Sequence, residues 1–119
     1  MAKQIIPNAG ACLTSKNVLS GAGRVKWLVR EDSVAAADNG WRILSEIDTD
    51  EYLAESANMQ IVEYNRLCEI EPALINIYDF PVGSDLQIVD DEAGIRIVDT
   101  ATGDAISPRQ FYVPPQYRD

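Results

Sequence analysis

DNGWRILSEIDTDEYL, residues 38–53, sets a strand pattern directly before a run of carboxylates. Trp41 and Ile43 fall on one face of an extended chain and Arg42 and Leu44 on the other, because side chains in a strand alternate. Asp38-Asn39-Gly40 supplies turn chemistry ahead of the strand. Behind it come Glu46, Asp48, Asp50 and Glu51. Asp48 or Thr49 can N-cap a short helix, DEYLAESA, whose first-turn acids complement the helix dipole. Asn58 ends that helix.

Upstream, ACLTSKNVL reads as a strand and SGAG as a turn. RVKWLVRE alternates, with Val25, Trp27 and Val29 on one face and Arg24, Lys26 and Leu28 on the other. These two strands are expected to pair as a hairpin. Downstream, MQIVEY is a short strand or extended link. NRLCEIEPALINIYDF is helical with Asn65 as N-cap, and Pro72 divides it into two short helices. Leu67, Ile70, Leu74 and Ile77 recur at spacings of three and four, which predicts a core stripe. DLQIVDDEAGIRIVD is a second hairpin turning at Asp90–Gly94. The expected fold is α+β, a mostly antiparallel sheet of about five or six short strands with two or three short helices on one side. Residues 1–9 read as an arm, 10–106 as one domain and 107–119 as an extended tail, since Pro114-Pro115 cannot sit in a central strand.

The chain has 119 residues, no histidine and two cysteines. Without histidine, Ser-His-Asp and Cys-His catalysis and histidine-ligated metals are excluded. Cys12 and Cys68 form no CxxC and read as buried thiols. No apolar run approaches the ~18 residues of a membrane span. The start, MAKQIIPNAGACL, lacks the pattern of a signal peptide, so a cytoplasmic protein is expected.

The net charge of −9 is unevenly spread: residues 1–30 carry +5, residues 31–104 carry −15 and the last fifteen +1. That balance disfavours nucleic acid and anionic membranes, which both recruit lysine and arginine. It suits solubility or a basic partner.

The acids could serve a metal, acid–base chemistry or a partner, or could simply be solvated. An EF-hand loop needs oxygens at positions 1, 3 and 5, glycine at 6 and glutamate at 12. A loop begun at Asp48 puts Tyr52, Leu53 and Met59 at positions 5, 6 and 12, and one begun at Asp90 puts Gly94 at 5, so both fail. Paired-carboxylate hydrolysis needs one raised pKa, whereas a helix start lowers it. No phosphate-binding glycine loop and no GxSxG is present. The expectation is therefore no enzyme, no catalytic residue, no metal and no cofactor. A tryptophan in an alternating strand is usually core; the alternative for Trp41 is an interface anchor beside an acidic rim. Tyr52 is the better anchor, because its hydroxyl can stay wet.

GWRILSEIDTDEYL and IVEYNRLCEIEPALINIYDFPVGSDLQIV together resemble the bacterial immunity-protein-33-like domain family of polymorphic toxin systems, formerly a domain of unknown function. The resemblance spans about Gly10 to Ile97 and rests on Gly40, Trp41, Arg42, Asp50, Glu51, Tyr52, Asn65, Pro72, Pro81 and Gly83. Leu86 stands where an aromatic residue is common in the family, and the tail from about Ser107 falls outside the match. The resemblance implies an immunity protein. The residues and the resemblance together predict a non-enzymatic binding domain that neutralises a basic toxin through Asp48, Asp50, Glu51, Tyr52 and Trp41. The alternative is a structural or regulatory module whose acids are solvated and which self-associates, as a homodimer, through its tail.

Overall fold

The computed structural model describes residues 4–118. In chain order its elements are β1 (Ala11–Ser15), α1 (Lys16–Ser20), β2 (Val25–Arg30), β3 (Asp38–Ser45), α2 (Asp50–Ala54), β4 (Met59–Glu63), α3 (Tyr64–Ile70), α4 (Ala73–Asn76), β5 (Asp85–Asp91) and β6 (Gly94–Asp99). The strands form one sheet in the order β4-β1-β3-β2-β5-β6. The β1–β3 pair is parallel and the other neighbouring pairs are antiparallel. This is the expected α+β class, with six strands and four short helices among the described residues. The additional helix is α1, which takes up the second half of the segment read as a single strand.

The expected hairpin of β1 and β2 does not form. β3 inserts between them, parallel to β1 and antiparallel to β2. α1 carries the chain away from β1, and its Val18 is buried in the core. Gly21 then closes the helix in the left-handed conformation, its N–H donating to the Val18 carbonyl. The gap left between β1 and β2 is one strand wide, and the well-buried β3 fills it.

The face assignment of β2 also changes. Leu28, expected on the polar face, is fully buried, while Trp27 and Val29 are half-buried. A register irregularity between Val25 and Trp27 resets the alternation, so Val25 and Leu28 both reach the core. Such a bulge leaves one residue unpaired and turns the following side chains over. Trp27 instead lies half-exposed beneath the Lys26 ammonium, 5.2 Å from its ring centroid.

Asp38-Asn39-Gly40 is the first part of β3, not a turn outside it. The turn chemistry acts locally: the Gly40 N–H donates to Asp38 Oδ1 and the Trp41 N–H to Asn39 Oδ1, each at 2.9 Å. Gly40 has φ +89°, and a Cβ there would collide with the Glu31 carbonyl oxygen. That close approach lets the Glu31 N–H donate to the Gly40 carbonyl at 2.8 Å. Trp41 enters the core with no exposed surface. Its Nε1–H donates to the Tyr78 carbonyl at 3.0 Å, which satisfies the one polar atom that burial would otherwise penalise.

The helices close over Trp41, Ile43, Leu28 and Leu86. Leu67, Leu74 and Ile77 are fully buried as the stripe predicts, but Ile70 is 46% exposed. α3 ends at Ile70 and the chain re-enters helix only after Pro72, which breaks the common face. The residue preceding α3 is Glu63, so Asn65 is not the N-cap. Asn65 instead pins the N-terminal arm, accepting from the Ile6 N–H at 2.8 Å and donating to its carbonyl at 3.0 Å. Residues 1–3 of the expected arm, and Asp119 of the tail, lie outside the described residues. The tail folds back on its own chain. The Tyr112 N–H donates to the Asn76 carbonyl, Gln116 Nε2 donates to the Ile5 carbonyl, and the Tyr112 ring packs edge-on against Tyr78.

This packing has two measurable consequences. Gly40→Ala is expected to lower the unfolding free energy by about 1–3 kcal/mol, measured by urea denaturation, because it forces an L side chain into a strained, filled position. Cys12 and Cys68 are both buried free thiols with pKa pushed up to about 12. Burial is the main cause for each, reinforced by the Cys68 thiol at Cys12 and by the Glu69 charge at Cys68. Neither thiol should react with an aromatic disulfide reagent at pH 8 until the protein is unfolded, when two equivalents should be released.

Candidate partner-binding surface

The carboxylates beyond β3 take different roles. Asp48 is half-buried and tied into the fold. Its Oδ2 accepts from the Ser45 N–H at 2.6 Å and its Oδ1 from Asn17 Nδ2 at 2.7 Å, joining the end of β3 to α1. Burial works against its charge, but the Ser15 hydroxyl, the Ser45 N–H and the Asn17 amide outweigh that and hold the carboxyl below its ordinary range. The Ser15 and Ser45 hydroxyls are themselves buried. Thr49 is the N-cap of α2, accepting from the Tyr52 N–H at 3.1 Å.

Asp50 and Glu51 occupy the exposed first turn of α2, as their sequence position predicts. Among the described residues neither makes an ion pair, and neither does Glu55 after the helix. Tyr52 is half-exposed beside them, and its carbonyl accepts from Asn58 Nδ2 at 2.8 Å, which fixes the end of the helix. The structure thus brings Asp50, Glu51 and Tyr52 onto one accessible turn. Trp41 is not part of that surface: it lies wholly in the core, with no area to offer a partner.

Other acids are neutralised within the chain. Asp90 pairs with Arg24 and Asp91 with Arg96 on the surface. Arg42 makes the most enclosed pair, Nη2 to Asp38 Oδ2 at 2.9 Å, with the two side chains only 11% and 12% exposed. Nη1 also donates to Asp38 Oδ1 at 2.9 Å and Nε to Glu31 Oε2 at 3.1 Å. The guanidinium is therefore held by a two-pronged carboxylate on one side and a single oxygen on the other. Arg42 also lines an apolar hollow of about 220 Å³ together with Leu13, Val34, Ala37 and Ile61. Sequence reading singles out Arg42 but misses its partners. The spacing Asp38-x-x-x-Arg42 suggests a pair only on a helix, and here the two come together across a register irregularity in β3 that contains the positive-φ Gly40.

A family model, the Immunity protein Imm33 domain, matches residues 12–98. The chain belongs to this family. No curated protein and no solved structure matches it. Membership places the chain among the immunity proteins of toxin systems, whose partner is in general a protein. The Imm33 match starts within β1 and ends within β6, so it covers all of the sheet but its first and last strand residues, together with the helices on it. The hydrogen-bonded arm before it and the tail after it are outside the match. Among the described residues of this Imm33 domain no group of three His, Cys, Asp or Glu side chains comes together to hold a metal. No helix is long and apolar enough to cross a membrane.

The Arg42 hydrogen bonds, then partial burial acting against them, set the Asp38 carboxyl well below the ordinary range, with the Val34 and Gly40 N–H groups adding to the depression. A carboxyl whose folded pKa is lowered contributes stability above its unfolded pKa of about 4 and loses it as pH falls below that. Asp38→Asn is expected to lower stability by about 3 kcal/mol at pH 7, because it leaves a nearly buried guanidinium short of its main partner. The deficit should shrink as pH falls below about 4 in acid-titrated urea melts, because Asp38 of the unfolded wild type binds a proton there while the folded carboxylate stays ionised.

Proposed function

We propose that this Imm33 domain is a non-enzymatic inhibitor that neutralises a basic toxin by docking through the acidic surface at α2. The observation that carries this reading is the exposed turn of Asp50, Glu51 and Tyr52 in a chain of an immunity family. Among the described residues its carboxylates make no ion pair, whereas Glu31, Asp38, Asp90 and Asp91 do. Asp48 contributes by holding the turn against α1. Tyr52 is the anchor, since an aromatic ring with one wet end suits an interface centre. An inhibitor needs tight docking and no chemistry. Nanomolar affinity corresponds to about −12 kcal/mol, within reach of an interface of about 1,600 Å² with a few well-buried anchors. A negative field of this kind raises the association rate with a positive partner and disfavours nucleic acid. The self-association alternative gains no support from the tail, which is hydrogen-bonded to Asn76 and Ile5 of its own chain.

The test is a paired capture from source-cell lysate at about 0.15 M salt, where distant charges are already screened. One bait is the wild-type chain and the other carries Asp50→Lys and Glu51→Lys. Both substitutions are on exposed residues, so thermal stability should stay within about 0.5 kcal/mol of wild type. A basic protein retained by the wild type alone, with a toxicity that the wild type suppresses and the variant does not, is the expected result. Equal retention by both baits would move the site away from α2.

A further inference from the structure

The two edges of the sheet are treated differently by the chain. Beyond β6 the polypeptide turns back and covers the second half of its own edge, Ile97–Asp99, leaving only the short stretch at Ile95 open among the described residues. Val98 bridges to Ala105, the Ile106 N–H donates to the Ile97 carbonyl at 2.8 Å, and the Asp99 N–H donates to the Asp104 carbonyl at 2.9 Å. Beyond β4 no described residue does the same. β4 pairs with β1 over five residues without irregularity. It carries no proline and no lysine, the usual devices that blunt an open edge.

The phase of the ladder identifies which groups are free. The Tyr64 N–H donates to the Gly10 carbonyl at 3.0 Å, and these two residues continue the β1–β4 register as a hydrogen-bonded pair. Pairs alternate along an antiparallel ladder, so Val62 and Gln60 direct their backbone groups towards β1. Ile61 and Glu63 direct theirs outward, where among the described residues nothing receives them. Met59 also points outward, but its N–H is taken by the Ser56 carbonyl. Ile61 is 73% exposed, a large aliphatic side chain standing on the open edge. Asp50, Glu51 and Glu55 lie on the segment that leads into β4 and Glu63 lies at its far end, against Lys16 and Arg66 in the flanking helices.

We propose that the outer edge of β4 receives an extended, basic strand of the protein partner, which hydrogen-bonds to Ile61 and Glu63, packs an aliphatic side chain on Ile61 and adds a seventh strand to the sheet. The proposal rests on the partner being a basic protein drawn to the acidic surface at α2, and it names where and how that partner is held. Strand addition supplies affinity through the backbone and specificity through alternate side chains. The acids at both ends of β4 select basic residues in the incoming strand. A second copy of this chain fits poorly, because antiparallel β4–β4 pairing would bring the Glu63 end of each copy against the acidic α2 end of the other.

The test selects 12-residue peptides from a random library on the full-length chain. Binding of the selected peptides is then followed by amide hydrogen exchange on the wild type and by affinity for Ile61→Pro. Proline at this position removes only an outward N–H and is tolerated on an edge strand. Selected peptides should alternate aliphatic residues with lysine or arginine and should slow exchange at Ile61 and Glu63. Ile61→Pro should weaken them at least about tenfold, the loss of an outward hydrogen bond together with its apolar neighbour. The exchange measurement needs no variant, so the test stands even if Ile61→Pro misfolds. Recovery of no peptide, of acidic peptides, or of peptides that protect other amides would overturn the proposal. So would a concentration-dependent dimer whose formation protects Ile61, since the edge would then belong to a second copy. If Asp50→Lys with Glu51→Lys leaves peptide affinity unchanged while protection at Ile61 persists, the acidic-surface reading fails and the edge remains. If the acid reversal weakens binding but Ile61 and Glu63 gain no protection, the edge fails and the acidic surface remains.

Discussion

The close approach of the Gly40 backbone to Glu31 is the constraint on which the rest of the fold depends. A side chain at residue 40 would occupy the space of the Glu31 carbonyl, so only glycine lets the end of β2 and the start of β3 close to a 2.8 Å hydrogen bond. That closure fixes the direction of the next two side chains. Trp41 turns inward and meets the Tyr78 carbonyl, and Arg42 turns outward and meets Asp38 and Glu31. Arg30 lies over the Trp41 ring and donates to the Phe80 carbonyl at 2.6 Å, tying β2 to the loop after α4. One short segment therefore couples the sheet, the helical layer and the enclosed ion pair.

Charge is sorted by the same architecture. Acids with a nearby arginine, such as Asp38, Asp90 and Asp91, serve the fold. Asp48 serves it through hydrogen bonds, bridging β3 to α1 without a cationic partner. Asp50 and Glu51 pair with no cation among the described residues, on a short helix that buries none of its residues. A small domain with a net charge of −9 accepts the self-repulsion this entails. An immunity protein gains from it if the field steers a positive partner. The open edge of β4 lies next along the chain from these acids, so the surface that would attract a partner and the backbone that could hold it are adjacent.

The candidate surface is partly legible in the residues. Asp50, Glu51 and Tyr52 read as an exposed helix start and form one, because capping by Thr49 and first-turn acids are local signals that tertiary packing leaves intact. Asp48 groups with them by sequence proximity, yet its partners Asn17 and Ser45 include one thirty-one positions away that no local pattern reveals. Trp41 shows the same limit from the other side. Alternation puts it on one side of a strand, but only the helices packed over it settle that this side is the core.

By itself the sequence determined the class of fold, the β5–β6 hairpin, the division of the helical segment at Pro72 and the absence of histidine chemistry. These come from periodicity, proline geometry and composition, which are properties of short segments. The tertiary structure decided that β3 splits the expected β1–β2 hairpin, because strand pairing is a competition among distant segments for the same backbone edge. It decided that Leu28 is core, because a bulge shifts the phase of alternation without leaving a mark on the pattern. It decided too that Asn65 holds the arm rather than capping a helix, since a side-chain amide bonds whichever backbone the fold brings to it. Which edge stays open is likewise a property of the assembled sheet, for an unpaired backbone looks the same in sequence as a paired one.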